Sequence, residues 1–425
     1  MAVASGDPRA ARIFYGWRIV AAIFVILTFC SGLGFYNHTV MLQALSAERQ
    51  FPITVTSTAV SLFFITAGVS GLLVARFIEW FDIRITLVCG GIVAGLSLAA
   101  IGRVGSVFEL YAVYIVFGIG FSASGLLPGT TLVTRWFEKR RAVALAIAST
   151  GLSVGGVLIT PLSAELIGSV GISKATPWLG AAYILGTVPV CILLVRAFPE
   201  DLGIGMDGED EPSMQGYQQG LSFRVAMTNR FFWGMALSYI FVMLAQVGGI
   251  AHQFGLLSEQ LSARQAGMAL AVLPIFSVIG RLSGGWIVDR ISIRGFTSVM
   301  MLAQCLALLM LGLGNSPWML LAGLACFGVT VGNLLMLQPL LIAEAFGLLH
   351  YPRIYSVSNL LTTVGVATGP AAMGWIYAVE STYRWPYAAA SAVGLLSLLI
   401  FICAGPVEQG TGLADDGAKP IARSG

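Results

Sequence analysis

The chain has 425 residues, 57% of them hydrophobic and only 10% charged. A soluble domain carries about 25% charged residues, so a soluble globular chain is excluded and a polytopic protein of the lipid bilayer is implied. The formal net charge of +3 gives no reason to expect a nucleic-acid partner, and the information lies in where the charges fall.

Residues 1–16 are short, polar and basic, with Arg9 and Arg12. The apolar run from Trp17 to about Gln43 is too long for a signal-peptide core and no clean cleavage site follows it, so it reads as an uncleaved first span. Runs of spanning length recur twelve times, at 17–43, 55–79, 85–103, 108–134, 141–168 and 177–197, then 230–257, 264–288, 296–314, 317–343, 353–379 and 384–404. In lipid such runs must be helices that satisfy their own backbone, and they are too long for barrel strands of about ten residues. The polar stretch 198–229, with Pro199, Glu200, Asp201, Asp207, Glu209, Asp210 and Glu211, reads as a cytoplasmic linker. It divides a first six-helix bundle, 1–197, from a second, 230–405, and 406–425 is a polar cytoplasmic tail.

Polar side chains within the spans are few enough to name. The first span carries Asn37 and His38 in its second half, and the fourth carries Ser122 and Ser124. The Gly118-x-Gly120 pair is no nucleotide loop, because no strand precedes it and no Lys-Ser/Thr follows. In the seventh span Tyr239, Gln246 and Gln253 share a helical face at spacings of seven, and a break near Gly248-Gly249 is needed to bring His252 onto it. Histidine titrates in the physiological range, so His252 and His38 are the candidates for carrying a coupling proton. His350 falls in a loop and reads as solvated, and the tenth span carries Asn333 and Gln338. The six cysteines all lie in apolar runs without CxxC or Cys/His clustering, so neither a metal site nor a disulfide framework is expected.

Arg281 stands apart from the rest. It sits inside IFSVIGRLSGGWIV, about eight residues before Asp289, with no acid in the same run. Burying a guanidinium there costs roughly 3 kcal/mol on insertion scales. An unpaired cation at mid-span implies a water-filled cavity and a visiting anion, and the planar five-donor fork suits a carboxylate.

Of the 23 Lys and Arg, seventeen fall on the side of the two termini, five on the other, and Arg281 on neither. Both termini are therefore expected in the cytoplasm. The chain also repeats itself. Ala75, Glu79 and Arg84 after the second span match Gly285, Asp289 and Arg294 after the eighth at an offset of 210, which also pairs Phe117-Gly118 with Phe327-Gly328. An offset of 214 pairs Gly151 and Gly155 with Gly365 and Gly369. Two similar halves of six helices point to a transporter with its solute site at their seam.

With these motifs the chain resembles the major facilitator superfamily, over nearly its whole length. Gly285-xxx-Asp289-Arg290-xxx-Arg294 is similar to the superfamily's loop motif, and the first copy departs from it, with Glu79 for Asp, Trp80 where Arg is usual and Asp82 where Gly is usual. The resemblance implies a conformational latch at Glu79, Arg84, Asp289, Arg290 and Arg294. It also implies a cavity lined by the first, fourth, seventh and tenth spans, so that Asn37, Ser122, Ser124, Tyr239, Gln246, Asn333 and Gln338 join Arg281 as expected solute contacts.

Tyr15-Gly16-Trp17-Arg18 and Arg135-Trp136-Phe137-Glu138-Lys139-Arg140-Arg141-Ala142, taken with Arg281, resemble the monocarboxylate porter and oxalate/formate exchanger branches. The departures are a missing first-span lysine, Ser277 where some porters carry an acid, and no mid-membrane lysine in the eleventh span, so a lone central cation points to a singly charged solute. The expected function is secondary transport of a small organic anion such as lactate or pyruvate, coupled to protons, by a monomer in the cell membrane (the inner membrane in a prokaryote) without cofactor or metal. The alternatives are an exchanger of other organic acids and an exporter of drugs or metabolites. No set of residues suggests an enzyme.

Overall fold

The computed structural model describes residues 14–208 and 220–405, except for the side chains at 39, 43, 53, 54, 263, 264 and 267. Among these residues there is no strand, only helices and their connections. Arg9, Arg12, Glu209, Asp210, Glu211, Lys419 and Arg423 lie outside the described residues.

The first span runs Gly16–Cys30, widens into a π turn at Ser31–Phe35 and continues as His38–Arg49. The second and third are Ile53–Trp80 and Ile83–Ile101, and the fourth is Val107–Ser124 followed by Leu126–Trp136. The fifth is Arg141–Val154, a second π turn at Gly155–Ile159, then Thr160–Val170, and the sixth is Ile172–Leu194. The remaining spans are Arg230–Ser258, Ala263–Ala269 with Val272–Val288, Ile293–Leu313, Pro317–Phe346, Tyr351–Glu380 and Arg384–Cys403. Ten are long and apolar enough to cross a membrane by composition. Of the other two, the eighth is interrupted between Ala269 and Val272, and the eleventh is diluted by the buried Thr362, Gly365 and Gly369. The sixth span begins at Ile172, earlier than the sequence suggests, because Gly171 alone, at φ +80, turns the chain.

The sequence repeat is a repeat of contacts. Gly118 abuts the Phe63 carbonyl of the second span, and Gly328 abuts the Leu273 carbonyl of the eighth. Gly151 and Gly155 press on the first span at the Phe24 and Thr28 carbonyls, while Gly365 and Gly369 press on the seventh at those of Ile240 and Leu244. A side chain at any of these positions would push two backbones apart. Helix caps repeat as well. Asp82 and Ser292 cap the third and ninth spans, and Ser106 and Ser316 cap the fourth and tenth, each accepting a first-turn backbone N–H. The repeat fails at the two π turns, which have no counterpart in the seventh and eleventh spans. These turns face one another, with Gly32 packed on the Gly155 carbonyl and Thr160 Oγ1 donating to Gly32 O at 3.1 Å.

The buried apolar residues fall into three clusters. One is continuous through both halves at the end holding Gly16, Trp136, Arg230 and Cys403, called here the basic end, and includes Ile23, Trp136, Ala146, Tyr239, Leu337 and Tyr355. At the opposite end the core is split, with Leu33, Phe63, Tyr114 and Tyr183 in one cluster and Leu257, Leu308, Phe327 and Tyr387 in another. The halves are joined at the basic end and part toward the opposite one. The two stretches that carry the branch resemblance meet at the basic end, where Tyr15 packs on Trp136 at 5.6 Å and Trp17 on Phe137 at 5.0 Å between ring centroids.

Candidate functional site at the joint between the halves

Arg281 lies where the joined and parted regions meet. The eighth span presents Gly280, Gly284 and Gly285 around it, and none has room for a side chain, Gly280 against the Val329 backbone, Gly284 against Asn333 and Gly285 against Ala146 and the Ala142 carbonyl of the fifth span. This close approach brings main-chain oxygens to the guanidinium. Arg281 Nε donates to Gly332 O of the tenth span at 3.0 Å, and Nη1 donates to Ser149 O of the fifth. Hydrogen bonds from a charged group contribute about 1.5–3 kcal/mol each, which offsets the roughly 3 kcal/mol insertion cost. The open, water-facing guanidinium expected from the sequence is therefore corrected. The residue is 1% exposed, and its neutralising contacts are carbonyls of helices packed close together. It is not saturated, because two of five N–H groups are committed and among the described residues no Asp or Glu pairs with it. Tyr36 is 40% exposed, and its ring lies beside Gly156 of the fifth span.

The other expected contacts are dispersed. Asn333 adjoins Arg281, its Nδ2 donating to Gly280 O at 2.8 Å and Val329 O at 2.9 Å, with Oδ1 unpartnered. Ser277, one turn from Arg281, is buried with its hydroxyl unpartnered. Tyr239 donates to Leu334 O at 3.2 Å, and Gln338 donates to Ser358 and Thr362 at 2.9 and 2.7 Å. Gln246 is buried with Oε1 unpartnered. Asn37 accepts from Ser163 at 2.8 Å, leaving Nδ2 without a partner. Ser124 donates to Gly120 O and shares a hydrogen bond with Tyr183, inside the first half. Ser122 is half-buried beside Gly71 of the second span.

The seventh span is unbroken from Arg230 to Ser258, so the break that would bring His252 onto the Tyr239 face is absent. Gly248 and Gly249 serve packing instead, against Gly369 and Phe327. His252 Nε2 meets Pro370 O at 2.9 Å, tying the seventh span to the eleventh. His38 is enclosed by the rings of Phe63, Phe64, Tyr114 and Phe117, the nearest at 4.3 Å between centroids, and its Nε2 has no partner.

At the basic end the expected latch residues divide. Glu79 forms an ion pair across the halves with Arg353 at 2.5 Å, and His350 Nδ1 stands 3.7 Å from the same carboxylate. His350 is thus not merely solvated. Arg84 pairs with Asp82, its Nε 2.8 Å from Oδ2, while Arg290 lies over Trp286 at 3.5 Å and Arg294 donates to Ile402 O at 3.1 Å, each within the second half. Asp289 lines a cavity of about 190 Å³ between the halves with Glu138, Arg141 and Glu344. Its partial burial, reinforced by Asp207, outweighs Arg290 and Arg140 and holds its carboxyl above the ordinary range. A larger groove, about 350 Å³, lies among the second, third and fourth spans and is lined by apolar groups such as Leu73, Phe77 and Val93, without Arg281.

Sequence reading missed the Ser149 and Gly332 carbonyls, since a main-chain acceptor leaves no mark on residue type. The Gly328-xxx-Gly332 spacing was a usable signal, because both glycines face carbonyls of the eighth span.

Two helical halves around a buried seam, joined at one end and parted at the other, are the arrangement of a carrier built from repeats. A family model described as Major Facilitator Superfamily matches residues 24–257 and 226–423, and the chain belongs to that family of transporters. An MFS-type transporter of Gibberella moniliformis is 29% identical over 343 residues, covering 78% of this chain and 75% of that one. Monocarboxylate transporter 12 of Rattus norvegicus is 23% identical over 409 residues, covering 87% and 81%. The crystal structure of the transporter FucP in the outward conformation aligns with TM-score 0.71 at 13% identity, covering 91% of this chain and 98% of that one, a likeness of fold.

Proposed function

We propose that the protein carries a small monocarboxylate, of the size of lactate or pyruvate, across the membrane by alternating access, as a monomer with both termini and the basic end in the cytoplasm. The observation that carries this reading is Arg281, a buried cation at the joint between the halves with which no Asp or Glu pairs among the described residues. A lone guanidinium selects one negative charge, and its spare N–H groups fit two oxygens on one carbon. The monocarboxylate transporters among its relatives support the same class of solute. Asn333, Gln246, Tyr239, Gln338, Asn37, Ser122 and Ser124 are secondary candidates for solute contact, with Asn333 first because it adjoins Arg281. The ion pair of Glu79 with Arg353 acts as the latch of the basic end.

A co-transported proton falls to His252 rather than His38. His252 is half-exposed and joins two spans of the second half at Pro370, whereas His38 is closed in by aromatic rings. The test is uptake of labelled lactate by reconstituted protein. Arg281→Ala is expected to lose at least about tenfold of the uptake, the equivalent of one charged hydrogen bond, while still reaching the membrane. Arg281→Lys should be impaired as well, since a point charge does not reproduce the fork. Uptake by Arg281→Ala equal to that of the unaltered protein rejects the assignment.

A further inference from the structure

We infer that His350 makes the latch of the basic end pH-dependent, a proton on its ring adding a second bond across the halves, so that this end is held shut as the medium beside it acidifies. Glu79 lies at the end of the second span, in the first half, and its Oε2 pairs with the Arg353 guanidinium of the second half at 2.5 Å. Its other oxygen, Oε1, faces His350 Nδ1 of the second half at 3.7 Å. Both of these atoms are buried, and neither has a hydrogen-bond partner. The gap is too long for a hydrogen bond, so a neutral ring leaves two polar atoms unmatched across the joint. A proton on the ring turns them into a donor and an anionic acceptor, and the bond they form is charge-assisted.

His350 is fixed where it can do this. It immediately precedes the eleventh span, and Tyr351 and Pro352 behind it are buried. The connection before it is pinned as well, since Gly347 turns the chain at φ +71 and Leu221 N of the linker donates to Phe346 O at 2.9 Å. The charges around the ring act in opposite senses. Glu79 favours the protonated form, and Arg353 on its own span opposes it. Arg76, one turn before Glu79 on the second span, is exposed, while Arg141 of the fifth span and Glu344 of the tenth line the basic-end cavity. Among the described residues only Glu79 forms an ion pair with His350. Histidine is the side chain whose charge ordinarily changes between about pH 5 and 8. The shut state brings the carboxylate to the ring and opening takes it away, so the shut state binds the proton more tightly and gains population as pH falls. On the function proposed above, with the basic end in the cytoplasm and a proton carried with the solute, entry acidifies the side on which the latch sits and the carrier slows itself. That consequence rests on the proposed function, and the latch itself does not.

The test measures the opening of the basic end in the full chain without solute, so its result does not depend on whether the protein carries a monocarboxylate. Spin labels are placed at Arg18→Cys and Ile291→Cys, exposed positions at the basic end on opposite halves, after the exposed native Cys89, Cys326 and Cys403 are changed to serine. Distances between the labels are read by double electron–electron resonance at about pH 8 and about pH 6, values that bracket the ordinary histidine range. The long-distance, open population is expected to fall about fivefold at the lower pH, the effect of one partly exposed ion pair. His350→Gln is expected to keep the distribution of the higher pH at both values, and His350→Lys, which holds its charge, that of the lower pH at both. Equal distributions in the otherwise unaltered protein at the two pH values overturn the inference, and this comparison decides even where a variant at the latch fails to fold. A pH response retained in His350→Gln assigns the proton to another group and overturns it as well.

Discussion

Arg281 shows how the chemistry of one residue can be legible while its surroundings are not. Its type and its place in an apolar run fixed the need for a counter-group, because no acid lies in the same run. Which group answers that need is a matter of helix approach, and the answer is two main-chain oxygens that any residue type would present. The histidines divide in the same way. Sequence marked His38 and His252 alike, and only packing separates them, one inside four rings and the other bonded to Pro370 O. His252→Gln is expected to abolish stimulation of lactate uptake by an imposed pH gradient while lactate exchange at equal pH persists. His38→Gln should keep that stimulation. Measured uptake with and without the gradient checks both, and a gradient response retained in His252→Gln removes this histidine from the coupling.

At the scale of elements the reading of the sequence went furthest, because hydrophobic length and glycine spacing are properties of single helices. The glycines found at offsets of 210 and 214 are those that seat one span on another. The interruptions were less visible. The π turns at Ser31–Phe35 and Gly155–Ile159 depend on each other's backbone, which neither segment encodes alone. The departure of Asp82 from the loop motif has a local cause, since Asp82 caps the third span by accepting from Arg84 N at 2.9 Å and holds the Arg84 side chain as well. Partial burial pushes the Asp82 carboxyl up, but the Arg84 hydrogen bonds and the charges of Arg84 and Arg135 push it further down, leaving it below the usual carboxylate range. A depressed carboxylate contributes stability that is present above its unfolded pKa, near about 4, and is lost as pH falls through the folded value. Asp82→Ala is expected to cost about 1 kcal/mol at neutral pH. The gap between variant and parent should narrow in strong acid, as read by the melting temperature. A gap that is constant or widens on acidification contradicts the capping role.

At the scale of the whole molecule, composition alone dictated a membrane bundle, and the repeat implied its two halves. The conformation could not be read in advance, because one sequence must support both openings. It is the continuity of the core at the basic end, and its division at the other, that identifies which end is closed. The cross-half ion pair of Glu79 with Arg353 was hidden for a related reason, as its partners lie far apart in the chain and within different helical contexts. On the function proposed above the solute binds at the joint, and a ligand stabilises the state it binds.

The most direct measurement is therefore the melting temperature of the purified protein with and without lactate, pyruvate and lactamide, repeated for Arg281→Ala. Both carboxylates are expected to raise the melting temperature of the unaltered protein, neutral lactamide to leave it unchanged, and neither carboxylate to stabilise Arg281→Ala. An equal rise with lactamide, or a carboxylate-induced rise that survives in Arg281→Ala, would contradict the assignment of this guanidinium to a solute carboxylate.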